Sequence, residues 1–253
     1  MKRLLFLFVI LSDVYLLSSE APYYAERMIT DYGGIVSNGK RTICYGDYGI
    51  ITYTYNSGKT WEQQSFGDKY NVMKIETDGS DFFGVTDYFL FRSYNHDSYW
   101  LKQNIYEEAK IIDMALFNNS IYIFTKDGII RSDLEMNVYN TPFLSLDTGH
   151  KYSELKTDGK NLYFIADSSY LQRYNLSTSR MDTLDVIDSL GINYQNTLLG
   201  LKVENGNIYV LLGSIVSGVD YFDYELAGST NNGDTWIKIA DNVYKGKCYK
   251  AIE

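Results

Sequence analysis

A chain of 253 residues, 45% hydrophobic and 22% charged, holds enough apolar material for one large all-β domain or two small domains. Its formal net charge of −9 and its lack of a long Lys/Arg run argue against nucleic acid and anionic membrane surfaces as partners. The 25 tyrosines, set against two prolines, favour strands, because aromatic side chains pack well on a pleated surface.

The first stretch, MKRLLFLFVILSDVYLLSSEAP, reads as an export signal over residues 1–19: a basic start, an apolar run, then small residues. Asp13 interrupts the run, and an N-terminal membrane anchor is the alternative. The run is short for a span, and no cysteine follows it to carry a lipid. The expected location is secreted, periplasmic or at the cell surface. Cys44 and Cys248 are the two cysteines of the chain. Export permits a disulfide between them; two buried free thiols are the alternative.

From there the chain repeats itself. Asn38-Gly39, Asp78-Gly79, Asn118-Asn119, Asp158-Gly159 and Asn205-Gly206 each sit between apolar runs, at spacings of 40, 40, 40 and 47. Such dipeptides supply the positive φ of a tight hairpin. Each unit reads as four short strands, as in VMKIET, DFFGVT, YFLFRS and WLKQNI. Four strands per repeat of about 40 residues predicts a β-propeller of about five blades, because a lone blade cannot bury its faces. The expected units are about 33–67, 72–106, 111–145, 152–186 and 198–240 of one domain, 23–253. The segment YYAERMITD before the first unit and the tail NVYKGKCYKAIE after the fifth are expected to help close the ring.

A second motif falls near the end of each unit. Thr54, Asn56, Gly58, Thr60 and Trp61 recur as Ser229, Asn231, Gly233, Thr235 and Trp236, with decayed copies from Ser93 and Ser132. A short polar side chain can close such a turn on backbone N–H groups, while glycine takes the left-handed position. On these residues the chain resembles the Asp-box, or BNR-repeat, propellers, which include sialidases and many non-enzymatic binding proteins. Asn replaces the usual Asp in both copies. The resemblance implies a structural role for the box. A WD40 propeller is the competing assignment, but its Trp-Asp ending is missing, and Gly-His occurs once, at Gly149-His150, rather than at the start of each unit.

In a four-stranded meander the 1→2 and 3→4 turns share one end, here called lower. The 2→3 turns and the links between blades share the other, upper end. Two insertions are expected on the upper face: the link IDSLGINYQNT and the 2→3 connection within GSIVSGVDYFDYELAG. They bring Asp188, Tyr194, Asp220, Tyr221, Phe222, Asp223 and Tyr224. Aromatic faces stack on sugar C–H patches and acids accept hydroxyl protons, so the expected ligand is a glycan, or else a protein. Asp47, Asp87, Asp127 and Asp167 recur every 40 residues in the 2→3 turns, read as turn formers rather than a cation ring.

The resemblance raises sialidase activity, which needs three arginines around a substrate carboxylate. Arg92, Arg131 and Arg173 occupy third strands but belong to the lower end, and the family's Arg-Ile-Pro signature is missing. Another glycoside hydrolase would need a carboxylate pair, for which Asp188, Asp220, Asp223 and Glu225 are the candidates. His150 lacks a nucleophile elbow, and the chain shows no zinc spacing, phosphate loop or dinucleotide fingerprint. The expectation is a non-catalytic binding module without metal or cofactor; the alternatives are a hydrolase and a scaffold or assembly factor.

Overall fold

A computed structural model of the chain describes residues 32–67, 70–94, 99–105, 110–191, 196–215, 221–240 and 245–247. They form five four-stranded antiparallel sheets, the blades of a β-propeller. Blade 1 holds β1 (Tyr32–Ser37), β2 (Thr42–Gly46), β3 (Ile50–Thr54) and β4 (Glu62–Ser65); blade 2 holds β5 (Val72–Thr77), β6 (Phe82–Thr86), β7 (Phe89–Ser93) and β8 (Trp100–Asn104). Blade 3 holds β9 (Ile111–Phe117), β10 (Ser120–Thr125), β11 (Gly128–Asp133) and β12 (Val138–Ser145); blade 4 holds β13 (Tyr152–Thr157), β14 (Asn161–Ala166), β15 (Tyr170–Asn175) and β16 (Arg180–Leu184). Blade 5 holds β17 (Asn196–Glu204), β18 (Asn207–Ile215), β19 (Tyr221–Ser229) and β20 (Ile237–Ala240), and β21 (Lys245–Lys247) pairs with β19 beyond β20. One short helix, α1 (Val186–Ser189), follows β16. The first strands are innermost: β1 neighbours β5, β5 neighbours β9, β9 neighbours β13 and β13 neighbours β17.

The second strands explain the radial stacking. In a strand, successive side chains point to opposite faces. On β10, Ile121 and Ile123 enter the core shared with blade 2, while Tyr122 and Phe124 enter the core shared with blade 4. On β14, Leu162 and Phe164 face blade 3, while Tyr163 and Ile165 face blade 5. Both strands are buried at every position, which is why they read as near-continuous apolar runs. Such a sheet needs a neighbour on each face. Gly84 in β6 serves the same packing: a Cβ there would overlap the Phe91 ring. That ring sits between Phe66 and Trp100, at 4.6 and 5.1 Å.

Each first strand carries a register shift near its start, at Tyr32/Gly34, Val72/Lys74, Phe124/Thr125 (within β9's partner), Ser153/Leu155 and Leu198/Gly200. A β-bulge increases local twist, and five in equivalent places bend the inner strands alike.

The lower hairpins come in two forms. Asn118-Asn119 and Asn205-Gly206 have positive φ at both residues, the two-residue turn that a right-twisted hairpin favours. The other three are wider. Asn38, Asp78 and Asp158 each accept two backbone N–H groups from the residues two and three places on, at 2.7–3.1 Å. The preceding Ser37, Thr77 and Thr157 hydroxyls accept the glycine N–H at 3.0–3.2 Å.

The two repeated 3→4 turns share one hydrogen-bond scheme. Thr54 Oγ1 accepts from Gly58 N at 3.0 Å, and Ser229 Oγ from Gly233 N at 2.9 Å. Asn56 Oδ1 accepts from Thr60 N at 2.9 Å, and Asn231 Oδ1 from Thr235 N at 3.0 Å. Each asparagine also donates to the threonine hydroxyl, at 2.7 and 2.9 Å. In blade 3 the duty passes to Asp133, which accepts Asn137 N at 2.9 Å. The copy from Ser93 includes residues 95–98, which lie outside the described residues.

The insertion in blade 5 differs from expectation. Residues read as a long 2→3 loop instead extend β18 and β19, with Ile215 opposite Phe222 and Ser214 opposite Asp223. Tyr221, Phe222 and Tyr224 are residue types of high strand propensity, which favours a longer hairpin over an open loop. In the other insertion, α1 buries Val186, in the core with blade 5, and Ile187, and keeps Asp188 exposed. Residues 1–19, read from the sequence as an export signal, lie outside the described residues. So does Cys248. Cys44 is a free, half-buried thiol, and burial pushes its pKa up to about 11.

Candidate functional site

The radial arrangement turns the innermost strands of three consecutive blades towards one axis. Lys74 on β5 pairs with Glu76 at 2.9 Å and with Asp113 on β9 at 3.2 Å. Its ammonium also donates to the carbonyls of Met114, at 2.8 Å, and of Leu155 in blade 4, at 3.3 Å. Lys156 on β13 pairs with Glu154 at 2.6 Å and reaches Asp113 at 3.7 Å. Burial alone would lower the pKa of Lys74; the charges of Asp113 and Glu76 outweigh it and hold it above the ordinary lysine value. Tyr45 reaches the same place from β2 because Gly34 leaves room for its hydroxyl, which bonds the backbone at Ile75. Every charge in this cluster has a partner of opposite sign, so it locks three blades together rather than offering a free acid and base.

A second site opens at the upper, outer end of the junction between blades 3 and 4. It is a cavity of about 230 Å³ lined by Leu146, His150, Tyr152, Phe164, Tyr170 and Gln172, among others. Tyr152 stands edge-on to Phe164 at 5.9 Å and to His150 at 6.2 Å. Tyr170, 53% exposed, begins β15. His150 Nδ1 donates to Asp167 Oδ2 at 2.5 Å, and its other ring nitrogen lies 4.0 Å from Asp147. The bond to Asp167 raises the pKa of His150, aided by the aspartate's charge. Asp167 is held below the usual carboxylate range by the Lys151 N–H and by His150. An aromatic wall beside amide, imidazole and carboxylate groups can stack on one face of a sugar ring and bond its hydroxyls.

Neither a family model nor a curated sequence matches the chain. Solved structures do match its fold. YCF48 from Cyanidioschyzon merolae aligns with a TM-score of 0.55 at 13% identity, over 81% of this chain and 83% of that one. The GH74 enzyme of Niastella koreensis aligns at 0.57 and 14% identity, over 79% of this chain and 36% of that one. The extracellular domain of the putative one-component system BT4673 from B. thetaiotaomicron aligns at 0.59 and 14%, over 85% and 28%. What these likenesses share with the chain is the β-propeller fold.

Of the residues that the sequence singles out for binding, some lie among the described residues and some do not. Tyr194 and Asp220 lie outside the described residues. Tyr221, Phe222 and Asp223 lie in the first half of β19, opposite β21, with Tyr221 facing Lys247 and Asp223 facing Lys245 in register. Asp188 sits on α1, where its N–H bonds the Asp185 carboxylate at 3.0 Å. Glu225 is paired with Lys238 at 3.2 Å. The four turn aspartates stay apart: among the described residues no three His, Cys, Asp or Glu side chains come together to hold a metal ion. No helix among the described residues is long and apolar enough to cross a membrane.

Three of the lower arginines, Arg41, Arg92 and Arg173, act as struts between blades. Arg92 binds Asp81 at 2.7 Å within blade 2 and the Leu134 carbonyl of blade 3 at 2.6 Å. Arg173 binds the Asn232 carbonyl of blade 5 at 2.8 Å. Arg41 stacks on Tyr53 at 4.1 Å and bonds Ser93 of blade 2 at 2.9 Å. Arg131 stays within blade 3, on Ser120.

Sequence reasoning missed three features. The axial charges have a signal, lysine and acid alternating on first strands (KIE, ELK). The upper cleft has none, since its walls come from two blades. The lower face, read as structural, exposes Tyr55, Trp61, Tyr94, Tyr99 and Tyr139 on blades 1 to 3. Trp61 and Trp236 occupy the same place in twin turns, yet Trp61 is 43% exposed and Trp236 only 7%. Trp236 is buried because it joins the core between blades 4 and 5.

Proposed function

We propose that the chain is an exported, non-catalytic binding propeller whose upper face takes a glycan ligand. The observation that carries this reading is the cleft between blades 3 and 4, with exposed Tyr170 beside Tyr152, Gln172 and the His150–Asp167 pair. Its volume of about 230 Å³ suits a single sugar ring. The same face carries Asp188 and the start of β19, which would extend contact to further residues of the ligand. The axial carboxylates are all tied to lysines, which favours binding over hydrolysis. The two repeated turns are read as Asp-box turns with a purely structural task, since their polar atoms are spent on their own backbone. A protein segment is the second class of ligand that such an aromatic face fits.

A glycan array followed by titration of the best hit tests the reading. Tyr170→Ala should weaken binding about tenfold, the cost of losing one aromatic platform. Binding that survives this change unaltered places the ligand elsewhere. Turnover of a chromogenic glycoside, lost in Asp188→Asn, would replace the binding role with a hydrolytic one.

A further inference from the structure

Blade 4 turns a graded face towards blade 5. Ile165, Leu171 and Leu184 lie abreast on β14, β15 and β16 and enter the core shared with blade 5. Side chains two residues apart on a strand share a face. Towards the lower end the next row is therefore Tyr163, Arg173 and Asp182, and the last is Asn161, Asn175 and Arg180. The polar rows open on a cavity of about 620 Å³, bounded on its far side by the 3→4 turn of blade 5 at Asn232 and Asp234. It lies at the opposite end of the propeller from the cleft that holds Tyr170.

Hydrogen bonds within the protein order the floor of this cavity. Asn175 Nδ2 donates to Asn161 Oδ1 at 3.0 Å, and Asn161 Nδ2 donates to Asp158 at 3.0 Å. Arg173 is held by the Asn232 carbonyl at 2.8 Å and by Asp182 and Asp234 at 3.3 and 3.4 Å. Arg180 differs: its Nε donates to Asp182 at 2.9 Å, yet its side chain is 77% exposed. The terminal nitrogens of a guanidinium form a fork that matches a planar carboxylate. Exposed Lys160 lines the same cavity from the 1→2 turn of blade 4. Lys160, Arg173 and Arg180 set against Asp182 and Asp234 leave one positive charge, in a chain whose net charge is −9. That balance suits a ligand with a single negative charge. Among the described residues, every side chain that lines the cavity is charged, amide or hydroxyl, so an apolar ligand body finds no wall to rest on. Such groups exchange hydrogen bonds with ligand hydroxyls instead.

We propose that the lower cleft between blades 4 and 5 binds a sugar acid, its carboxylate on Arg180 and Lys160 and its hydroxyls on Thr178, Asn232 and Asp234. Calorimetric titration of the full chain with trigalacturonate at low salt tests it, with maltotriose and sodium sulfate as competitors. Trigalacturonate should bind, and Arg180→Ala should weaken it at least about tenfold, the cost of one charge-assisted pair. Arg180→Lys keeps the charge without the fork and should fall between the two. Arg180 is exposed, so Arg180→Ala should leave the urea midpoint unchanged. Tyr170→Ala should leave this binding unchanged as well, which separates the site from the upper cleft. Failure of trigalacturonate to bind the unaltered chain would overturn the proposal, as would binding untouched by Arg180→Ala. Equal competition by maltotriose would remove the acid from the ligand, and equal competition by sulfate would remove the sugar; either result also overturns it.

Discussion

His150 and Asp167 join the link before blade 4 to its own upper turn. The carboxylate also takes the Lys151 N–H at 2.8 Å, which holds it in place for the imidazole. The two shifts define a pH window. His150 has a raised pKa, so its contribution is complete below the unfolded value of about 6.5 and is lost as pH rises through the folded value. Asp167 has a depressed pKa, so its contribution is present above about 3.9 and is lost as pH falls through the folded value. The clasp is therefore complete from about pH 4 to about pH 6.5. An NMR titration should place the His150 midpoint above about 6.5, and Asp167→Asn should bring it down towards that value. A midpoint at or below it in the unaltered chain would remove the clasp. The pair was hidden in the sequence because its members are 17 residues apart and their neighbours in the chain carry no shared pattern.

At the scale of the element, the repeated turn is a closed hydrogen-bond unit. Asn231 serves the Thr235 N–H, the Thr235 hydroxyl and the Ser229 hydroxyl at once. Asn231→Ala strands several polar groups and should cost about 1–3 kcal/mol in urea unfolding. Asn231→Asp keeps the acceptor for Thr235 N and lets the Thr235 hydroxyl donate instead, so its cost should stay near zero. Equal losses for both would show that the amide group itself is needed. This turn was legible because every partner lies within a few residues, and the Asn/Asp-Gly hairpins were legible for the same reason. The extended hairpin of blade 5 was not. A run such as VDYFDYELAG alternates as a strand does, but its surplus length resembled a loop until its pairing with β18 was seen. The five bulges are equally silent, because no residue type marks them: glycine, methionine, isoleucine, glutamate and leucine stand at the shifted positions.

At the scale of the molecule, the forty-residue period is the repeat of one wedge around an axis, and that period was legible throughout. What collects on the axis was not. Lys74, Asp113 and Lys156 are far apart in sequence, and any one alone resembles a solvated strand residue. Together they bring blades 2, 3 and 4 within a single ammonium's reach, with Lys74 touching a carbonyl of the blade next but one. That contact is possible only where few blades surround a narrow axis. A buried ion pair is costly to break, since the partner left behind keeps its charge without compensation. Lys74→Met and Asp113→Leu should each destabilise the protein by about 3–5 kcal/mol. Because the pKa of Lys74 is raised, its contribution is complete below the unfolded lysine value of about 10.4 and fades only at more alkaline pH. The most direct measurement is the double-mutant cycle between these two residues, followed by urea unfolding at neutral pH. Radial blades meeting at a charged axis predict a coupling above about 1 kcal/mol, with the double variant less harmed than the two single losses combined. Simple additivity of the two changes would contradict the account.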